Sequence, residues 1–181
     1  MKGVVFTEFA QLVEANWGAD MMDDIIDAVE PASGGAYCSV ASYEFSELAE
    51  LLAELSRRVD VPEADLLLAF GGHLADVFYK KFPAFFDEHD NLFDFLKSVD
   101  EHIHVEVLKL YPDASLPKFR YEQLSDDHLV FHYQSERPLA DLAVGLISAS
   151  AKHFQKDIEI DRQSLDGGPL FKEKFNVRIV S

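Results

Sequence analysis

Apolar positions in this chain follow a helical period through roughly the first hundred residues and an alternating one through much of the rest. After a short apolar segment, Val4–Phe6, a cap at Thr7 and a stop at Gly18 predict a helix from about Glu8. A second helix follows over 20–30, and Pro31 to Gly35 reads as a loop. Leu48, Leu51, Leu52 and Leu55 mark one face of a helix within 42–59. Proline is tolerated in a first helical turn, so residues 60–82 predict another helix, with Gly71-Gly72 in its interior. Such glycines cost about 1 kcal/mol each against alanine and either kink the helix or admit the close approach of something flat.

The stretch from Asn91 to Phe119 organises the chain around it. Leu92, Leu96, Val99, Ile103, Val107 and Leu110 recur at steps of three and four, the buried face of one long helix. A turn stiffened by Pro112 and Pro117 closes it. At about 100° per residue, His102 falls with Ser98, Glu106 and Lys109 on the wet side. His104 falls beside the apolar stripe, with Asp100 one turn before it. Residues two apart on a helix do not face one another, so the pair is no metal pincer. A single interior histidine is left, to be read as a satisfied core residue or as a ligand.

Beyond this helix the period changes. Residues 119–122 and 128–135, joined across Ser125-Asp-Asp127, predict a β-hairpin. Pro138 opens a helix over 139–154, rich in Ala, Gly and Ser, whose low inner face can lie close to a neighbour. Residues 156–165 and 172–180, separated by Asp166-Gly-Gly168, predict a second hairpin of the same sheet. The fold class is α+β: an N-terminal helical lobe, then an antiparallel sheet with helices, in a single domain over 1–181.

Composition narrows the function. The 181 residues, 48% of them hydrophobic, suffice for one well-buried domain, and 15 phenylalanines fit either an aromatic core or a cavity for a large flat apolar ligand. A net charge of −17 argues against a nucleic-acid or anionic-membrane surface and favours a partner with a basic patch. Cys38 is the single cysteine, which points to a reducing compartment and excludes a structural zinc cluster built on cysteines. The opening MKGVVFTEF is no signal peptide and no window reaches the length of a membrane span, so a cytoplasmic protein is expected. No Ser-His-Asp order, phosphate loop or paired-carboxylate pocket suggests catalysis. His132 is expected to be exposed, and Asp87 to Asp90 lacks calcium-loop spacing.

Tyr133, Ser135 and Arg137 share the strand face of Leu129 and Phe131, which is otherwise inward. An inward arginine needs an anionic partner. Two hydroxyls and a guanidinium fork suit a carboxylate, although 33 acidic residues offer internal partners too. An interior imidazole, a carboxylate grip and many phenylalanines together match the shape of haem: an iron taking an axial histidine, an apolar macrocycle and two propionates at one edge.

The opening MKGVVF, the AFG at 69–71, the run IHVEVLKLYPDASLP at 103–117 and the Tyr133-x-Ser135-x-Arg137 pattern together resemble the H-NOX family. These are haem domains that bind nitric oxide or oxygen, akin to the haem domain of soluble guanylate cyclase. The resemblance spans essentially the whole chain and implies haem b (iron protoporphyrin IX), buried between a distal lobe of about 1–65 and a haem-bearing lobe of about 66–181. It implies His104, and not His102, as the proximal iron ligand, with Tyr133, Ser135 and Arg137 on the propionates. Pro117 falls on the proline that presses the haem out of plane, and Gly71 on a hinge glycine over the distal face. Oxygen-binding relatives carry a distal tyrosine where this chain has Leu142. An apolar distal side leaves NO and CO as ligands and disfavours O2, provided that neither His73 nor Tyr79 enters the pocket.

In relatives NO weakens the bond trans to it, which implies release of His104 and a shift of its helix. The implied partner, in two-component or cyclic-di-GMP signalling, is a separate histidine kinase or a diguanylate cyclase or phosphodiesterase. The chain ends at Ser181 with no effector domain, like stand-alone members. Zinc, held in some relatives by C-terminal cysteines, is not expected. Three other readings stand beside this one: an oxygen sensor or carrier on the same scaffold, a hydrolase with His102 and His104 on a metal, and a non-haem pocket that sets Arg137 on an apolar acid.

Overall fold

Helix α1 (Gly3–Trp17) opens earlier than the sequence predicts. Thr7 is not its cap: the hydroxyl donates to the Val4 carbonyl at 3.0 Å, inside the helix. A tertiary contact sets the start instead. The Gly3 N–H donates to the Ala41 carbonyl at 2.8 Å. A Cβ at Gly3 would fall 1.9 Å from the Cys38 carbonyl oxygen, so only glycine lets the first turn lie flush on that loop. The other end is as predicted, with Gly18 at φ 90° and its N–H on the Glu14 carbonyl.

In this computed structural model, which describes residues 1–165 and 168–181, α2 (Ala19–Val29), α3 (Phe45–Val59) and α4 (Glu63–Lys81) follow and pack with α1 in one hydrophobic core. Phe6, Phe9, Ile25, Leu51, Leu55 and Phe70 form the centre of that core. Glu63 and Asp65 in the first turn of α4, and Lys80 and Lys81 in the last, complement the helix dipole.

A short helix that the sequence pattern does not mark, α5 (Pro83–Asp87), leads to α6 (Leu92–Ser98). Asn91 caps α6 by accepting the Asp94 N–H at 3.0 Å. The long helix predicted from there is interrupted. A π-helical turn over Val99–Ile103 separates α6 from α7 (His104–Leu110). At this junction the Ser98 hydroxyl donates to the Phe95 carbonyl at 2.7 Å, an acceptor the helix ladder would otherwise use alone. A π turn accommodates an extra residue, so a register counted at 3.6 residues per turn drifts across it. Leu110, expected on the buried face, is accordingly 74% exposed.

The remainder is β1 (Lys118–Ser125), β2 (His128–Ser135), α8 (Ala140–His153), β3 (Ile158–Ser164) and β4 (Phe171–Ile179). The two hairpins join in one antiparallel sheet of order β1-β2-β4-β3. The predicted turn at 166–168 falls largely outside the described residues, since Asp166 and Gly167 are not among them. The architecture is α+β, helices first and sheet after, as the period change predicts.

Helix α8 joins the two halves. Ala143, Ile147 and Ala151 pack with Leu129, Phe131 and Phe175 of the sheet, while Leu142 and Leu146 pack on the N-terminal core. Helix α4 runs unbroken through its glycine pair and crosses α8 there. A Cβ at Gly71 would stand 2.2 Å from the Leu142 carbonyl oxygen, and one at Gly145 would stand 2.1 Å from that of Leu68. The helix is not broken at the pair, and what approaches Gly71 closely is the backbone of α8 rather than a flat group. Phe78, nearer the end of α4, touches both cores. No helix among the described residues is long and apolar enough to cross a membrane.

Candidate cofactor site

His104 opens α7 immediately after the π turn. Its side chain is 16% exposed, and Nδ1 lies 3.4 Å from Oδ1 of Asp100, one turn earlier. Its ring stacks on Phe119 at 5.8 Å between centroids and 27° between planes. Burial lowers the imidazole pKa, while the Asp100 carboxylate and the Pro117 backbone act in the opposite sense. Burial is the larger effect, so it favours the uncharged imidazole, the form that suits a metal ligand, with Nδ1 turned to the Asp100 carboxylate. His102, by contrast, is exposed and edge-on to Phe85 at 6.2 Å.

The strand pattern delivers the second group. Tyr133 and Ser135 are buried at the end of β2, and Arg137 is half-buried just beyond it. Burial raises the Tyr133 phenol pKa, while the neighbouring Ser135 hydroxyl and Arg137 charge act in the opposite sense. The Arg137 N–H donates to Ser135 Oγ at 3.0 Å, and its Nη1 donates to the Ser115 carbonyl at 2.8 Å. Arg137 therefore ties β2 to the loop that carries the half-buried Pro117. Among the described residues, no carboxylate forms an ion pair with it. A cavity of about 360 Å³ opens beside Arg137, lined also by Ser42, Tyr43, Glu44, Phe45 and Glu136.

Other predicted residues lie on the helical side. Leu142 is half-buried against the N-terminal core, directly over Gly71. Its neighbourhood is apolar: Phe9 meets Phe70 edge-to-face at 5.5 Å, and Leu74 is buried one turn on. His73 is engaged elsewhere, with Nε2 3.2 Å from Oε2 of the buried Glu8, whose Oε1 accepts from Lys81 Nζ at 2.7 Å. Tyr79 packs over His153 at 4.1 Å. His132 is exposed.

This arrangement, on this fold, has counterparts. A family model described as Haem-NO-binding matches residues 2–162. The chain belongs to the H-NOX family. The unliganded Fe(II) H-NOX protein from K. algicida is 36% identical, with a TM-score of 0.94, and the match covers 100% of this chain and 97% of that one. The S. oneidensis H-NOX protein in its Fe(II)NO ligation state is 27% identical, with a TM-score of 0.90 and full coverage of both chains. A mutant of the T. Tengcongensis H-NOX shares the fold at 20% identity, with a TM-score of 0.90 over 100% of this chain and 98% of that one.

The H-NOX family binds haem, and the residues present here fit that group. The site offers a half-buried imidazole on one element, and on another a phenol, a hydroxyl and a guanidinium without an internal acid partner among the described residues. The Phe119 ring lies between them. Among the described residues no group of three or more His, Cys, Asp or Glu side chains could hold a bare metal ion, so a metal pocket on His102 and His104 finds no ligand set.

The sequence pattern misses several participants. Ser115 holds Arg137 through a backbone oxygen, which leaves no trace in residue type. Phe119 lies between His104 and Tyr133, 5.7 Å from the latter ring, yet reads in sequence only as the start of a strand. Lys2 reaches Asp113 at 2.8 Å and lies over the Tyr111 ring, strapping the start of α1 to the loop after α7. No spacing rule connects residues so far apart in the chain.

Proposed function

We propose that this H-NOX domain is a nitric oxide sensor, with residues from about 66 onward forming the lobe that carries haem b and residues 1–65 the distal lobe. The observation that carries the reading is the pairing of a half-buried His104 with the Tyr133-Ser135-Arg137 row, whose guanidinium has no internal acid among the described residues. His104 would hold the haem iron, with Nδ1 turned to Asp100 to orient the ring. Tyr133, Ser135 and Arg137 hold the haem carboxylates by charge-assisted hydrogen bonds. Haem, when bound, would supply an iron able to take a diatomic gas.

The chain's own residues set selectivity and response. Leu142 offers no hydrogen bond to a bound gas, and His73, which faces Glu8, is not free to supply one. Bound O2 needs such a donor far more than NO does, so the apolar distal side favours NO and CO and disfavours O2. Pro117 stands on the loop held by Arg137 and would press on the cofactor. Gly71, with its backbone against α8, is the pivot between the lobes. The partner is a signalling enzyme in trans, a histidine kinase or a cyclic-di-GMP enzyme. The charge of −17 suits a basic docking face on it.

A visible spectrum of the haem-loaded ferrous protein tests this. The expected result is a Soret band that moves with NO and CO and stays put in air. A protein that stays colourless with ample haem overturns the reading, and a stable oxygen complex overturns the selectivity.

A further inference from the structure

Glu173 has no part in the proposed sensing site, yet it stands beside the row assigned to carboxylate binding. It is the direct cross-strand partner of Tyr133, so both side chains rise from one face of the sheet. Its Oε2 is buried and accepts no hydrogen bond among the described residues. The cation within ion-pair range is Arg162, whose Nε lies 3.8 Å away, too far for a hydrogen bond. Arg162 is itself anchored, with Nη1 donating to Oδ1 of Asp141 at 2.5 Å in the first turn of α8.

A buried carboxylate oxygen without a donor is costly, and a phenol O–H is a strong donor to it. Tyr133 is the phenol at hand, on the same face and directly across the ladder, yet its hydroxyl makes no hydrogen bond to Glu173 Oε2. Arg162 accounts for that choice: its charge relieves Glu173 and draws it along the sheet toward α8. We propose that Arg162 is a positioning residue that acts through Glu173, keeping this carboxylate from capturing the Tyr133 hydroxyl so that the hydroxyl stays available to a carboxylate of the bound cofactor. The proposal rests on the reading of Tyr133, Ser135 and Arg137 as the propionate grip.

The test uses the full chain loaded with iron protoporphyrin IX or with its dimethyl ester, and follows loss of the cofactor to excess apomyoglobin. Arg162→Met and Arg162→Gln should each speed loss of the free-acid haem roughly tenfold, the weight of one hydrogen bond to a charged group. Arg162→Lys should not. Adding Glu173→Gln to Arg162→Met should return the rate to within about twofold of the parent. The dimethyl ester, which offers no carboxylate, should leave all these variants at one rate. In the haem-free protein, the ring ¹³Cζ resonance of Tyr133, assigned through Tyr133→Phe, should move in Arg162→Met and return in the double variant.

A merely structural arginine would show no rescue by Glu173→Gln and no dependence on the ester. Parent-like haem loss in both arginine variants, with fast loss in Tyr133→Phe, overturns the positioning role and leaves the grip standing. Parent-like loss in Tyr133→Phe overturns the grip and this proposal with it.

Discussion

Gly71 and Gly145 meet where α4 crosses α8: a Cβ on Gly71 would lie 2.9 Å from the Cα of Gly145. Backbone is on both sides of the contact, so no side chain can turn aside to make room. Gly71→Ala and Gly145→Ala should each destabilise the protein by about 1–3 kcal/mol, the usual cost of overpacking. Gly72 has nothing within 4 Å of an added Cβ. Gly72→Ala should therefore stabilise by up to about 1 kcal/mol, through helix propensity alone. Urea unfolding midpoints of the three variants check the contrast, and similar shifts at all three positions would refute it.

The two histidines of the HxH pair should separate cleanly. His104→Gly should remove the native haem spectrum, with free imidazole restoring a histidine-like ligation. His102→Gly should leave the spectrum unchanged, because the His102 ring only borders Phe85 at the surface. Loss of the spectrum on changing His102 alone would show that the register across the π turn is misassigned.

Glu8 is 1% exposed, yet its partners reach it from the rim, Lys81 at 2.7 Å and His73 at 3.2 Å. Removing a partner leaves a buried charge poorly compensated, whereas removing the charge itself leaves exposed groups that water can serve. Lys81→Met should cost on the order of 3 kcal/mol. Glu8→Met should cost less than about 1 kcal/mol, or stabilise. Paired thermal melts at neutral pH decide it, and the reverse order would refute the argument.

Acid should weaken the helical lobe through Glu54. Hydrogen bonds from Arg57 and then Arg58 depress its carboxyl to about 2. A group whose folded pKa lies below its unfolded value adds stability above the ordinary glutamate range, and that stability is lost as pH falls toward about 2. Arg58 also reaches Asp24 at 3.1 Å, joining α3 to α2. Between pH 4.5 and 2, Glu54→Gln should lose less stability than the parent, and high salt should shrink the difference. Parallel pH profiles for the two proteins would overturn the assignment.

Much of this site is written along single elements. The steps of three and four in 91–107 place His104 inward and His102 outward, and both are found so. Alternation over 129–135 puts Tyr133 and Ser135 on the buried face with Leu129 and Phe131. The small residues of α8 announce a close neighbour, and Gly145 against α4 supplies it. Pattern reading failed where one element answers to another. Helix α1 starts at Gly3 because a loop carbonyl lies against it, and Leu110 is exposed because a π turn shifts the register behind it.

Side-chain direction within a helix or strand is a local consequence of backbone period, so the order of residues determined which groups face inward: one imidazole, two hydroxyls, a glycine at the crossing. Which inward groups then meet was decided by docking between segments far apart in the chain. Only the register of β2 on β4 sets Glu173 beside Tyr133, and only the folded loop brings the Ser115 carbonyl to Arg137. Strand register and helix crossing are chosen by the packing of the whole core, and no single segment carries that information.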